Sequence, residues 1–216
     1  ARNYKVDQSF VNQMINASAL DNGLHAGDLK FVDLDGNNKI EQTTSANDRK
    51  DMKVIGNSLP RYNYNFGISA DWYGIDFSVL FQGIGKQNWY PGAETSMFWG
   101  PYSRPYASFI PSDFMSQVWS EENTDAYFPR PRGYVALGSN RELAVVNTKY
   151  LQNLAYCRLK NLSIGYTLPD KWLSKIGFEK IRVYFSGENL LTFTKLHSDY
   201  IDPEQASASN SWKTSK

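Results

Sequence analysis

The sequence predicts an all-β chain, a segment of a transmembrane antiparallel β-barrel with long extracellular loops. Three observations carry that expectation. Four stretches alternate between apolar and polar residues with a period of two, which gives a strand two unlike faces. The polar faces are small, neutral and hydroxylated rather than rich in Lys, Glu and Arg. In "NLSIGYTLP" (161–169), Asn161, Ser163, Gly165 and Thr167 oppose Leu162, Ile164, Tyr166 and Leu168. The alternation also persists near the about 9–11 residues a membrane-spanning strand needs, beyond the about 5–6 of an average soluble strand.

The first run, "YNYNFGISADW" (62–72), sets Tyr62, Tyr64, Phe66, Ile68, Ala70 and Trp72 against Asn63, Asn65, Gly67, Ser69 and Asp71. The second sets Ile75, Phe77, Val79 and Phe81 against Asp76, Ser78, Leu80 and Gln82. Only Tyr73-Gly74 separates them, so the pair reads as a tight hairpin. The third run covers roughly 156–168. The fourth, 180–194, sets Ile181, Val183, Phe185, Leu191 and Phe193 against Arg182, Tyr184, Ser186 and Glu188. "PDKWLSKIGFE" joins these two, with Asp170 able to cap a helical turn and Gly177 to end it. Tyr62 and Trp72 share a face; at ~3.3 Å per residue and ~45° of tilt they lie ~23 Å apart along the membrane normal. An apolar band about 25 Å tall edged by aromatic girdles has that spacing.

Connection lengths support the same reading. Short links follow runs one and three, and a long one follows run two, as with periplasmic turns and extracellular loops. The expected organisation is one partial barrel domain over 1–216. It comprises an extracellular loop region (1–60), a hairpin (61–84), a long extracellular loop (85–155), a second hairpin (156–194) and a loop or tail (195–216). "SDFMSQVW" reads as a short helix capped by Ser112.

Composition narrows the classes. Lys+Arg 23 against Asp+Glu 22 gives a formal net charge of +1, so a nucleic-acid partner has no electrostatic support. The single Cys157 excludes an internal disulfide framework and a multi-cysteine metal site. No apolar run is long enough for a transmembrane helix. The mean hydropathy of −0.52 suits a soluble chain, yet barrel strands carry only alternating apolar residues and score weakly. The opening "ARNYKVDQSF" has no apolar signal-peptide region and reads as the middle of something longer. His25 and His197 stand isolated, and no Ser-His-Asp phrase, phosphate-binding Gly loop or metal-hydrolase motif occurs, so no catalysis is expected.

Several phrases, in order, resemble the C-terminal barrel portion of the SusC/RagA-like TonB-dependent outer-membrane transporters. They are "AGDLKFVDLDGNNKIE", "NDRKDMKVIGNSLPRYNYNFGISADWYGIDFSVLFQG", "VWSEENTDAYFPR", "YLQNLAYCRLKNLSIGYTLPDKWLSKIGFEKIRVYFSGENLLTFTK" and "DYIDPE". The resemblance covers roughly residues 24–204. It implies a 22-stranded barrel of which four strands are visible here, the rest of that barrel as necessary partner, and an N-terminal plug absent from this stretch. It also implies energy relayed by TonB through the plug, a SusD-like surface lipoprotein as lid, and glycan or peptide cargo. The family's closing strand has no counterpart after Glu204. Open strand edges in lipid leave backbone groups unsatisfied, so this stretch alone is not expected to transport.

Three groups of residues are candidates for function. In "DLDGNNKIE", Asp33, Asp35, Asn37, the Lys39 carbonyl and Glu41 occupy alternating positions of an EF-hand-like turn, a donor set for structural Ca2+. Asn38 stands where Gly is usual and Thr44 where a bidentate Glu is usual, with Asp48 as substitute; the alternative is an Asx-rich turn that binds nothing. Trp89, Tyr90, Trp99, Tyr102 and Tyr106 offer faces for sugar or a partner, or form the private core of a long loop. Asp71, Asp76, Gln82, Arg182, Tyr184 and Glu188 fall on the parity that faces the lumen or plug. Arg158 and Lys160 fall on the lipid parity, near lipopolysaccharide phosphates or already clear of the membrane. Asn189 falls on that apolar parity too, unless a bulge near Ser186–Glu188 turns it inward.

A different fold meets the same facts. A soluble β-sandwich that binds carbohydrate through exposed aromatics and a calcium loop would bury the apolar faces between two packed sheets. The fate of Phe66, Ile68, Val79 and Ile164 separates the two.

Overall fold

The computed structural model describes residues 25–43, 45–103, 110–138, 142–175 and 177–206. They fall into two compact units, Gly56–Tyr90 with Leu151–Lys216, and Ala1–Ile55 with Pro91–Tyr150.

The first of these holds the alternating runs. Strands β1 (Arg61–Trp72), β2 (Ile75–Lys86), β5 (Tyr156–Thr167) and β6 (Arg182–Thr194) form one antiparallel sheet in the order β1-β2-β5-β6. Each is 12 or 13 residues long, membrane-spanning length. Tyr73 (φ 47°) and Gly74 (φ 83°) both take left-handed backbone angles, the requirement of a two-residue type I′ hairpin. A second, minimal ladder pairs β3 (Asn88–Trp89) with β4 (Gln152–Asn153).

Register shows which residues share a face. Ser69, Ser78, Ser163 and Ser186 align in one row across all four strands. The adjoining rows of the other face run Ile68–Val79–Leu162–Gly187 and Ala70–Phe77–Ile164–Phe185. The two compositions seen in the sequence are therefore the two faces of one continuous wall. Neither face is covered by another sheet among the described residues. Phe66, Ile68 and Ile164 are exposed, and Val79 is buried in the sheet itself. The sandwich alternative fails on that point, because a sandwich would have closed over them.

One link differs from expectation. Helix α2 (Asp170–Leu173) is a single turn whose N-cap is Pro169, so Asp170 stands inside the first turn and makes no capping bond. Gly177 (φ 76°) ends the turn as expected, with the Phe178 N–H donating to the Leu173 carbonyl.

The other unit has almost no regular structure and is held by aromatic packing. Helix α1 (Ser96–Trp99) and a 3-10 turn at Phe114–Gln117, begun by Asp113 rather than Ser112, flank a cluster of Phe98, Trp99, Tyr102, Phe114, Phe128 and Tyr150. Phe114 and Phe128 stack at 4.8 Å, and Trp99 meets Tyr150 edge-on at 5.2 Å. Such offset and edge contacts suit the ring quadrupole.

Candidate functional site

One charged group on the polar face of the wall lies near the Tyr73-Gly74 turn. Asp71, Asp76, Gly165 and Tyr184 form one row. Two carboxylates directly opposite each other repel, and Arg182 answers one of them. Its Nε donates to Asp76 Oδ1 at 2.8 Å and Nη2 donates to Oδ2, while its guanidinium lies 4.9 Å from the Tyr184 ring centre. The bridge leaps from β6 to β2 over β5, and Gly165 makes room for it. A Cβ there would sit 2.5 Å from Asp76 Oδ1 and 2.7 Å from Arg182 Nη2. Gln82 lies in the row Asn65–Gln82–Arg158–Thr192, and Glu188 in Gly67–Leu80–Asn161–Glu188. All six residues of the inward set thus share one face.

Arg158 belongs to that face too, which corrects the sequence-based placement. The register shifts at Lys160: Leu80 pairs with Asn161 but Phe81 pairs with Leu159. The extra residue reverses the parity of β5 above it, so Arg158 leaves the apolar side and Leu159 takes it. Of the two readings offered for Arg158, lipid contact has no geometric basis, since the residue lies on the other face and is only 5% exposed. Strand β6 answers with its own irregularity: Asn161 pairs with Glu188 and Leu159 with Leu191, and Asn189 has φ 53°. The irregularity lies at 189–190, past the Ser186–Glu188 stretch where the bulge was expected, which itself pairs regularly.

The acidic loop is built by its own backbone. Asp33 accepts N–H bonds from Gly36 (2.7 Å) and Asn38 (2.7 Å), and Asp35 accepts from the Asn37 N–H (3.0 Å). Asn38 takes φ 62° in place of a Gly. The Lys39 N–H donates to Asn37 Oδ1 at 2.7 Å, and Asn37 Nδ2 reaches Glu41 at 3.2 Å. Desolvation opposes ionisation of Asp33, but the N–H donors of Asn38 and Gly36 outweigh it and hold its pKa below the ordinary carboxylate value. The third carboxylate is Asp51, which the sequence reading passed over. It accepts from the Leu34 N–H (2.7 Å) and the Glu41 N–H (2.8 Å). Oxygens of Asp33, Asp35 and Asp51 lie within 4.8 Å of one another, a separation that ligands of one Ca2+, each at 2.3–2.6 Å, can span at about 5 Å. Asp48 instead pairs with Lys50 at 3.4 Å, with Glu41 on the same ammonium at 3.7 Å, and these anions raise the Lys50 pKa. Thr44 lies outside the described residues. Asp51 was missed because it is remote from the motif and reaches it only by a folded-back segment.

The loop aromatics divide. Trp99 (0% exposed) and Tyr102 (1%) are the core of their unit, and Trp89 is buried in the β3–β4 ladder. Rings without free faces do not stack on sugar, which favours the private-core alternative for Trp99 and Tyr102. Trp99 Nε1 donates to the Pro91 and Gly92 carbonyls, each at 3.1 Å, and Tyr102 Oη donates to the Pro129 carbonyl. Tyr90 is half-buried, and Tyr106 lies outside the described residues.

The chain is 34% identical over 176 residues to TonB-dependent receptor P3 of Formosa agariphila, a match spanning 81% of this chain and 15% of that protein. TonB-dependent receptor P26 of the same organism is 27% identical over 88% of this chain and 17% of its own length. The chain is related to the TonB-dependent receptors, of which it matches one stretch. No family model matches it. Among solved structures, the RagAB peptide importer in the open-open state superposes with TM-score 0.51 at 22% identity, over 82% of this chain and 18% of that one. A second RagAB peptide transporter structure gives 0.51 at 23%, over 77% and 17%. The likeness to these two is one of fold. The segment therefore spans less than a fifth of the relatives it matches.

Proposed function

We propose that this segment supplies wall and extracellular mouth to an outer-membrane transporter that imports glycan or peptide fragments with energy relayed by TonB. In this reading a SusD-like surface lipoprotein closes the mouth, a plug fills the lumen behind the small polar face, and the apolar face meets lipid. The observation that carries it is the pairing of an uncovered apolar face with a serine row on membrane-length strands, in a chain related to TonB-dependent receptors. An apolar face outward and a polar one inward is the pattern of such barrels. Small inward side chains let a filling domain approach the backbone. Ca2+ held by Asp33, Asp35 and Asp51 would stiffen the loop without taking part in transport.

The test uses the complete receptor. Cells carrying it should take up oligosaccharides or oligopeptides, and that uptake should cease when TonB is removed, while the receptor stays in the outer-membrane fraction. Uptake that persists without TonB would remove the proposal. Supplying labelled glycans and peptides separately tells the two cargo classes apart.

A further inference from the structure

We propose that Leu196–Ala206, the segment after β6, is a strap turned inward over the lumenal face and bolted there by Arg158. The strap, not the sheet, would then form this part of the inner surface near the extracellular rim. The inference rests on the barrel reading above, because it takes the polar face as lumenal.

Arg158 uses every side of its guanidinium. Nε donates to Thr192 Oγ1 at 3.0 Å, Nη1 donates to Glu204, Nη2 donates to Asp202, and the plane lies 5.5 Å from the centre of the Tyr156 ring. Lys160, standing in the bulge, adds a contact to Glu204 Oε2 at 3.3 Å. Two cations face two carboxylates, so the cluster closes on zero charge. The strap has further ties to β4 and β6. The His197 N–H donates to Gln152 Oε1 at 3.2 Å, and the Leu196 N–H to Thr194 Oγ1 at 3.2 Å. Within the strap, the Glu204 N–H donates to Asp202 Oδ1 at 2.9 Å, fixing the turn that presents both carboxylates. Ile201, Asp202, Pro203 and Ala206 are buried, as are Gln152 of β4 and Tyr156 of the wall. His197, Asp199, Tyr200 and Gln205 are exposed and would be the groups that passing cargo meets.

A planar fork that engages two carboxylates at once fixes direction as well as distance. Removing one partner of the buried Arg158–Asp202 pair leaves charge without compensation, so the strap should detach rather than slacken. The bulge is what makes the bolt available, since without it Arg158 would point to lipid.

The experiment places Ile201→Cys in the full-length receptor, in a Cys157→Ser background, and measures the rate of labelling by a bulky hydrophilic maleimide. Labelling should be slow with the bolt intact. It should rise about tenfold or more with Arg158→Gln, and likewise with Asp202→Asn combined with Glu204→Gln. Equal rates in all three backgrounds overturn the strap, as does fast labelling with the bolt intact. Heat-modifiable gel mobility reports barrel insertion separately. An inserted receptor with unchanged rates removes the strap alone, whereas a native receptor that never inserts removes the barrel reading. Where Arg158→Gln does not insert, the carboxylate pair decides, because those residues lie outside the strands.

Discussion

Single residues matter here mainly where a side chain needs the space beside it. Gly165 lies under the Asp76–Arg182 bridge, and Gly83 lies under Tyr64, whose hydroxyl donates to the Tyr156 carbonyl at 2.9 Å. Gly165→Val should separate Asp76 from Arg182 and cost about 1–3 kcal/mol, as overpacking does. Asp76→Asn should cost less than Gly165→Val, because the pair is partly exposed. Denaturant titration of the full receptor compares the two, and an equal cost would refute the role given to Gly165. The acidic loop is sensitive to pH with a definite sign. The folded pKa of Asp33 is lowered, so its contribution is present above the ordinary carboxylate range near ~3.9 and is lost as pH falls through the folded value. Protease cleavage within 33–41 should therefore quicken on acidification, and at neutral pH millimolar Ca2+ should slow it. Asp51→Asn should abolish the Ca2+ effect while Asp48→Asn leaves it intact; the reverse order would restore the sequence-based assignment.

At the scale of elements, the strands were legible and their irregularities were not. Alternation marked four runs within a few residues of the observed β1, β2, β5 and β6, because lipid and lumen select opposite compositions on every strand. The bulge at Lys160 left no such mark. Parity counting assumes two residues per repeat, so it carried Arg158 to the wrong face, and only the pairing partners reveal the extra residue. Deleting Lys160 should return Arg158 to the lipid side and impair insertion, whereas Lys160→Ala, which keeps the count, should insert normally. Gel mobility of the two variants decides it. The loop aromatics were ambiguous for a related reason: composition identifies Trp and Tyr, but burial depends on Phe114, Phe128 and Tyr150 arriving from elsewhere in the sequence. Trp99→Ala should cost about 3–5 kcal/mol of loop stability, seen as faster proteolysis of 91–150.

For the molecule as a whole, the exposed apolar face sets the solvent it needs. Ile164→Lys should destabilise the inserted receptor by about 2–4 kcal/mol if the position lies at the midplane, whereas Ser163→Lys, on the opposite face, should cost far less. Equal penalties would contradict the two-faced wall. Cargo is not encoded in these four strands, and of the loop rings Trp99 and Tyr102 are used internally.

The same two apolar rows, Ile68–Val79–Leu162–Gly187 and Phe66–Phe81–Leu159–Leu191, are joined by two steps along β1 and β2, three along β5 and four along β6. The wall therefore carries more residues on one side than on the other, like a stair tread cut on the turn, and the bulged strands bend and twist more there. Anyone splicing the rim of a relative onto this base would have to cut below Leu162 and Gly187. A seam placed higher would join strands whose residue tallies disagree, and the side chains of β5 beyond it would face the wrong medium.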